Sequence, residues 1–580
     1  MKKNVKNILS IVLSIILVFF IFHKFLVSGN TIIFTMIFIA SCVFFNKVIE
    51  NEYKRKFIVS ITIAIIFAFV ELICTSINTD YTLNHILDKW CLLNFVGYTI
   101  LIWSSISIVY NFLEKNRFKI KDAIKIGKYK ILSDSKSSFC INVILIFLAW
   151  LPYFLAYYPG LLTADSCAQV LQAIGISELS NHHPIVHTFI ISVFVNCGRI
   201  ITGNINIGVS LYILFQMITM AVFFSIILKY ISKKNAPIIV RILALLYYMF
   251  YPVHALFSVT MWKDILFSGI IPVYVILTIE LIYNNKEFLE KKKNIIIYII
   301  VSLLVMFLRN NGLYIVLLTL PFIIILLRKY WKKILAIVGT ILLLYIVIKS
   351  LIFNIFNVKE GSVGEMLSIP LQQIARVKKY HKEDLDNYTV QQIDEFFLCN
   401  NIEEKYNPVL SDPVKAELNT NYFNENKIEF IKLWIKLLKR YFKDYVESFI
   451  SNSYGYYYPE ATHWVANRTM EENNLGITQN PLIDGKLVLE INSYIERREI
   501  PLISMLFSIG MEFWMTVVCM GYEVLRRNYK MVIPYLIIYI LWLTIVASPV
   551  FCEYRYAYPL FTTLPLYINI NYVKREKENE

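Results

Sequence analysis

Charge is what this sequence has least of. Of its 580 residues only 17% are Asp, Glu, Lys or Arg, whereas 57% are apolar and 15% aromatic, and the mean hydropathy is +0.56. Soluble domains average about 25% charged and roughly 45–50% apolar residues. A water-soluble fold has too few charges here to cover so much Ile, Leu, Phe and Tyr. The shortage excludes a cytosolic enzyme, a disordered chain and a fibrous protein, and leaves a polytopic membrane protein. No internal repeat is evident, and no Pro- or Ser-rich linker divides the chain. Ionisable residues inside the apolar runs are few and unpaired by sequence, as with Glu71, Arg241, Glu280, Lys349 and Glu512. A lipid or polysaccharide transporter, one alternative, calls for inverted repeats and more charge at mid-depth. The 9 cysteines are scattered. Cys42, Cys74, Cys140 and Cys519 fall in apolar runs as small packing residues, and spacing pairs none of Cys91, Cys167, Cys399 and Cys552.

What charge there is sits unevenly. The formal net charge is +15, yet residues 354–500 hold 17 Lys+Arg against 22 Asp+Glu, leaving 40 basic and 20 acidic residues elsewhere. A basic excess confined to short loops between apolar runs orients a membrane protein and does not point to nucleic acid. Runs near the 20 residues a bilayer core needs start near Ile8, Thr31, Phe57, Leu92, Phe139, Ile207, Ile238, Ile265, Asn294, Gly312, Ile334, Pro501, Met531 and Ala557. These make about fourteen spans; the first, after Lys2, Lys3 and Lys6, reads as an uncleaved anchor. Basic clusters mark the cytoplasmic side: Lys54-Arg55-Lys56, the eight basic residues from Lys115 to Lys136, Lys233-Lys234, Lys291-Lys292-Lys293, Arg328-Lys329, Lys332-Lys333, Arg526-Arg527 and Lys574-Arg575. They share one side only if residues 185–201 do not cross, so that run reads as a helix along the outer interface. The fold expected is an all-α polytopic membrane protein with both termini cytoplasmic in the cell (plasma) membrane. It divides into a four-helix extension (1–138), a membrane core (139–353), a small, mainly helical extracytoplasmic domain (354–500), too long for a loop, and C-terminal spans (501–580).

The outward segments carry the chemistry. Asp165 lies just past a span, in a loop (159–184) without Lys or Arg. Partial desolvation raises the basicity of a carboxylate at the membrane boundary, which suits a general base acting on a hydroxyl; capping of a helix from Ser166 is the plainer reading. Asn181-His182-His183-Pro184-Ile185-Val186-His187 places two histidines four apart, as a metal pair on one helix face would be, although Pro184 puts His183 before the helix. Histidines lining a polar site near Asp165 are the other reading. Lys263-Asp264 opens a span and sets a cation and a carboxylate at headgroup depth, where Lys holds phosphate as a point charge or Trp262-Lys263 anchors the interface. Arg309-Asn310-Asn311-Gly312 places Arg in a tight hairpin, which is costly without an anionic partner. Glu553-Tyr554-Arg555-Tyr556 joins Glu and Arg with tyrosines; Arg suits bidentate phosphate recognition, and a plain Glu–Arg pair fixing the hairpin is the alternative. Residues 428–443, IEFIKLWIKLLKRYFK, read as a basic amphipathic helix on a membrane surface, with Phe430, Ile431, Trp434, Leu437, Leu438 and Tyr441 opposite the lysines.

In order and topology this pattern resembles the GT-C superfamily of polytopic glycosyltransferases, among them protein O-mannosyltransferases and aminoarabinose transferases of lipid A. The residues that carry the resemblance are Asp165 in the loop after a span, His183-Pro184 before an amphipathic helix, and Lys263-Asp264-Ile265-Leu266 two spans on. It covers roughly Phe139–Phe353. The chain departs from the pattern in having one loop carboxylate, His-His-Pro for His-Pro-Pro, and four additional spans before Phe139. The resemblance implies inverting transfer of a sugar from a polyprenyl-phosphate donor to a cell-envelope glycan, lipid or protein at the outer face. Asp165 would be the base, with His182, His183, Lys263, Asp264, Arg309, Glu553, Arg555 and Tyr556 binding substrate. No cofactor is required by that reading. A metal-dependent membrane hydrolase, the remaining alternative, would place a divalent cation on Asp165, His182, His183 and His187.

Overall fold

The computed structural model describes residues 3–24, 31–115, 124–126, 129–361, 363–461, 469–497 and 501–572. Lys2, Arg117, Lys119, Lys121, Lys128, Lys574 and Arg575 of the basic clusters lie outside the described residues. The architecture is helical, apart from a short antiparallel pairing of Ile124–Ile126 with Tyr129–Ile131. Without water to bond exposed backbone, a spanning segment closes its own hydrogen bonds as a helix, and the long Ile-, Leu- and Phe-rich runs do so here.

Four helices come first: α1 (Lys3–Lys24), α2 (Thr31–Glu50), α3 (Lys54–Asp80) and α4 (Cys91–Lys115). They share a core of Leu17, Phe20, Phe45, Phe67, Tyr98 and Trp103, which also takes in Trp514 and Tyr522 of the later helix Ile509–Leu525. The central group follows as α5 (Lys136–Ala156), α6 (Ala164–Ala173), α7 (Ile185–Thr202), α8 (Ile205–Lys233), α9 (Ile238–Phe250), α10 (Pro252–Ser258) and α11 (Lys263–Tyr283). Next come α12 (Asn285–Glu290), α13 (Lys292–Leu308), α14 (Gly312–Leu326) and α15 (Trp331–Phe356). Helix α11 is the axis of the bundle, buried almost throughout, with α8, α13 and the last helix, Tyr554–Tyr572, packed around it.

Among the described residues ten helices are long and apolar enough to cross a membrane, eleven if α9 and α10, bent by 47°, form one span. The protein is a multi-pass membrane protein. Four other helices in the expected set of about fourteen are α13, α14, Ile509–Leu525 and Tyr554–Tyr572, of 17, 15, 17 and 19 residues. At 1.5 Å per residue the first three fall short of a bilayer core of about 30 Å, and the fourth carries Pro559 and Pro565. The run starting near Pro501 is broken, one short helix (Pro501–Met505) preceding Ile509–Leu525. Residues 185–201, expected to lie along the interface, form a helix that itself meets the length and hydropathy of a span. It lies tightly on α8, where a Cβ at Gly198 would stand 2.3 Å from Gly208 Cα. Small residues permit that approach between apolar helices.

The run from Val363 to Ser453 builds short helices around a separate core of Leu371, Ile374, Phe396, Phe430, Leu433, Leu437 and Tyr445. Phe430 packs edge-on against Phe396 and Phe423 at 5.2 and 5.1 Å. This unit sits at the end of the bundle where α3 meets α4: the Leu83 N–H donates to Glu447 Oε1 at 2.8 Å, and Arg376 Nη2 donates to the Tyr81 carbonyl at 3.3 Å. Among the described residues the cysteines form no disulfide. Of the ionisable residues that look unpaired in sequence, Glu280 meets Lys234 at 2.7 Å, Lys349 meets Glu360 at 3.3 Å, and Arg241 donates to the Leu132 carbonyl at 2.9 Å.

Candidate active site

Two loops that start the central helices are stitched together before any charge is placed. The Leu161 N–H donates to the Val259 carbonyl at 2.8 Å and the Met261 N–H to the Leu161 carbonyl at 2.9 Å, a short parallel bridge. Gly160 enters it at φ +141°, where an added Cβ would meet Ile213 at 2.5 Å. The Gln216 amide, deep in α8, donates to the carbonyls of Phe257, Ser258 and Thr260 at 3.3, 2.9 and 2.8 Å. Ser166 Oγ donates to the Met261 carbonyl at 2.6 Å, and the Trp262 indole donates to Thr163 Oγ1 at 2.7 Å. Buried backbone groups need such partners, and these bonds fix the α6 and α11 starts against each other.

Asp165 is not the helix cap. The Thr163 N–H donates to Ser166 Oγ at 3.1 Å, and these two residues form the capping box of α6. The Asp165 carboxylate is thereby released toward α11 and the last helix. Arg555 Nη1 donates to its Oδ2 at 2.8 Å, and Lys263 Nζ stands 3.4 Å from the same oxygen. Lys263 also donates to His183 Nδ1 at 2.9 Å. Arg555 Nε donates to Glu553 Oε2 at 3.0 Å and Nη2 to the Tyr556 hydroxyl at 3.3 Å, and its guanidinium lies 5.0 Å from the Trp262 ring. Arg309 ends α13 in extended conformation, with its guanidinium 4.5 Å from the Tyr556 ring and its Nη1 3.4 Å from Asp264 Oδ1. Tyr556 touches both guanidiniums and so joins the two pairs.

Burial alone would raise the Asp165 carboxyl; Lys263, Arg555 and His183 outweigh it and hold its pKa well below the usual carboxylate range. His183 is pushed down to about 3, first by burial and then by Lys263, against the pull of Asp165. It stays neutral and accepts the Lys263 hydrogen bond. Burial pushes Glu553 up, more than Arg555 lowers it. Asp264 is the outlier. Its side chain is fully buried, neither carboxylate oxygen has a hydrogen-bond partner, and Arg309 Nη1 has none either. A buried carboxylate in that state is costly unless its surroundings rearrange in use.

Thus Asp165, His183, Lys263, Asp264, Arg309, Glu553, Arg555 and Tyr556 are brought together. His182 is exposed at the rim, its ring 4.7 Å from that of His183. The pairing of His183 with His187 as metal ligands is not formed. His187 is fully buried, with Nδ1 on Gln169 Oε1 at 3.0 Å and Nε2 on the Tyr212 hydroxyl at 2.7 Å, which uses both ring nitrogens in packing α6, α7 and α8. Among the described residues no group of three His, Cys, Asp or Glu is arranged to hold a metal ion. Trp262, Thr163 and Gln216 support the site without being evident in the sequence as part of it.

Two hollows lie among the elements that carry the cluster, and no cluster residue lines either of them. A small hollow of about 10 Å³ between α7, α13 and α15 is lined by Ile185, Met306, Phe307, Tyr345, Ile352 and Phe353, with Asn181, Asn310 and Lys349 as its polar residues. Asn310, one of its lining residues, follows Arg309 directly in the chain. A cavity of about 920 Å³ lies between Cys167 and Leu171 of α6 and the segment Thr469–Gln479. Residues two apart on a helix point about 200° apart, so this cavity opens on the other face of α6 from Asp165.

Comparison with curated proteins and with solved structures returns no match. Residues 173–580 match a family described as a family of unknown function, DUF6020, and they include every residue of the cluster except Asp165. The chain, with more than half its length matched, belongs to that family.

Proposed function

We propose that the protein is a membrane glycosyltransferase of GT-C type that moves a sugar from a polyprenyl-phosphate donor to a cell-envelope acceptor at the outer face. The observation that carries the reading is the meeting of two cations, Lys263 and Arg555, on the partly open Asp165 carboxylate, with a third, Arg309, held on Asp264 and joined to Arg555 through the Tyr556 ring. Lys263, Arg309 and Arg555 come from three different helix ends, and Asp165 from a fourth. In this reading about fourteen spans place both termini in the cytoplasm and loop 159–184 outside. In the same reading the isoprenoid tail stays in the bilayer against the apolar flank of the bundle while its phosphate reaches the cations.

The chemistry then follows from the charges. The acceptor hydroxyl oxygen attacks the anomeric carbon, the bond from that carbon to the phosphate oxygen breaks, and polyprenyl phosphate leaves with the electron pair. The hydroxyl proton passes to Asp165, and the configuration inverts. Fixed cations at the leaving phosphate stabilise the charge that develops there. Lys263 and Arg555, bonded to Asp165, hold it ionised and make it a poor base. A bound phosphate draws those cations to itself, and the carboxylate regains basicity when the donor is in place. Arg309, joined to Asp264 only at 3.4 Å, is similarly ready to exchange its partner.

The test uses purified protein in proteoliposomes with a panel of polyprenyl-phosphate hexoses, reading release of polyprenyl phosphate. Asp165→Asn abolishes release while leaving membrane insertion unchanged. Near-normal release by that variant defeats the assignment.

A further inference from the structure

The basic helix Lys427–Arg440 turns out to have two apolar faces. One, formed by Phe430, Leu433 and Leu437, is buried in the core of its own domain. The other is not covered. Ile428 is 69% exposed, Ile431 54% and Phe442, just beyond the helix, 66%, and Ile435 is exposed between them. Ile428, Ile431 and Ile435 recur every three and four residues, which makes one stripe along the helix, and Phe442 opens the next helix, Phe442–Ser453, after a break at Tyr441. Residues 427–443 hold six basic side chains against the single acidic Glu429. Lys432 and Lys439 run beside the stripe on one edge and Lys427 on the other. Glu429 holds Lys432 at 2.7 Å, whereas among the described residues no carboxylate lies within ion-pair distance of Lys427 or Lys439.

The position of this stripe relative to the bundle is fixed. Lys443 Nζ donates to Asn84 Oδ1 at 2.6 Å, in the short turn between α3 and α4. Both of those helices are span candidates, so the turn marks a membrane boundary. Leu87 of the turn is 88% exposed, and Trp90 and Leu92 beside it are also exposed. A tryptophan and large aliphatic side chains at the end of two spans are the usual occupants of the water–lipid interface. Lys443, three residues past the helix, is held beside that turn by its bond to Asn84.

We infer that this helix is a docking surface for the bilayer leaflet at that end of the bundle, with Ile428, Ile431, Ile435 and Phe442 inserted among acyl chains and Lys427, Lys432 and Lys439 on anionic phospholipid headgroups. Lysine stems lie along the apolar surface while their ammonium groups reach the headgroups. Apolar burial and headgroup attraction together set the strength of such binding. The inference stands independently of any catalytic reading, because it uses no residue of the ion cluster.

The experiment uses full-length protein in nanodiscs of phosphatidylcholine alone or with phosphatidylglycerol, each carrying a trace of the same lipid with a diazirine near the glycerol end of its acyl chain. Photo-crosslinked residues are mapped by mass spectrometry. Crosslinks concentrate on residues 428–442, at least fivefold more in phosphatidylglycerol discs than in phosphatidylcholine discs. Ile431→Glu with Ile435→Glu removes them; both positions are exposed, so the fold tolerates the change. Lys432→Glu with Lys439→Glu keeps the crosslinks but erases the preference for phosphatidylglycerol. Equal labelling in both lipids, no labelling of the stripe, or protein–protein crosslinks there that reveal a second copy each overturn the inference.

Discussion

Glu447 in the helical domain and Asp264 at the start of α11 are both buried carboxylates facing an arginine, and they are built oppositely. Glu447 has both oxygens bonded, Oε1 by the Leu83 N–H and Oε2 by Arg376. Arg376 in turn donates to the Tyr406 hydroxyl and the Tyr81 carbonyl and sits 3.5 Å from Asp444. Asp264 has neither oxygen bonded, and its arginine stands off at 3.4 Å. Removing a partner from a closed buried pair exposes its full desolvation cost. An open pair has already forfeited that bonding and is free to accept a new anion. The first arrangement holds a domain to the bundle; the second leaves binding capacity in a site.

The widest separation between the two arginine clusters is expected in the proposed sugar transfer. Arg555→Ala lowers the release of polyprenyl phosphate by about 10²–10³-fold, the usual loss when one preorganised donor to a developing charge is removed. Arg376→Ala leaves release per folded molecule within about twofold of the parent. Turnover normalised to folded protein measures both, and comparable losses in the two variants break the contrast. Stability runs the other way. Arg376→Ala strands Glu447 and costs about 3–5 kcal/mol, read as a lowered midpoint of unfolding in detergent.

How much of this was legible in the sequence follows from the same physics. In a chain so poor in charge, Asp165, Lys263-Asp264, Arg309 and Glu553-Arg555 stand out one by one, and each lies where an apolar run stops. That they meet is tertiary information, because Asp165 and Arg555 are 390 positions apart. The supports were hidden for that reason. Gln216 looks like a stray polar residue until three carbonyls of a distant loop close on it, and His187 carries the spacing of a metal ligand but spends both nitrogens on Gln169 and Tyr212. In residues 428–443 the sequence presents the apolar positions as a single face. Only packing against Phe396 and Phe423 separates Phe430 from Ile431 and sends the two to opposite environments.

Asp264→Asn sharpens the comparison at lower energy. The amide keeps the shape and loses no hydrogen bond, since none is made, and Arg309 retains its contacts with the Tyr556 and Phe267 rings. The unfolding midpoint in detergent therefore reports a cost under about 2 kcal/mol, below that of Arg376→Ala. A cost equal to that of Arg376→Ala means that Asp264 and Arg309 form a closed structural pair after all.

The smallest effect is on pH dependence. His183 is held down to about 3 by burial and then by Lys263, whereas an unfolded histidine titrates near 6.5. Below about pH 6.5 the unfolded chain takes up a proton that the folded site refuses. This contribution to stability is complete above that pH and declines as pH falls toward 3. Between pH 7 and pH 6 the decline from this one group is ~0.7 kcal/mol. His183→Gln keeps an acceptor for Lys263 and removes the titration, so the unfolding free energy of the variant falls less steeply over that interval by about this amount. An unchanged slope would mean that His183 takes up a proton in the folded protein as well. Lys263 would then have lost its acceptor, and the ion cluster around Asp165 would carry one more positive charge than the geometry assigns to it.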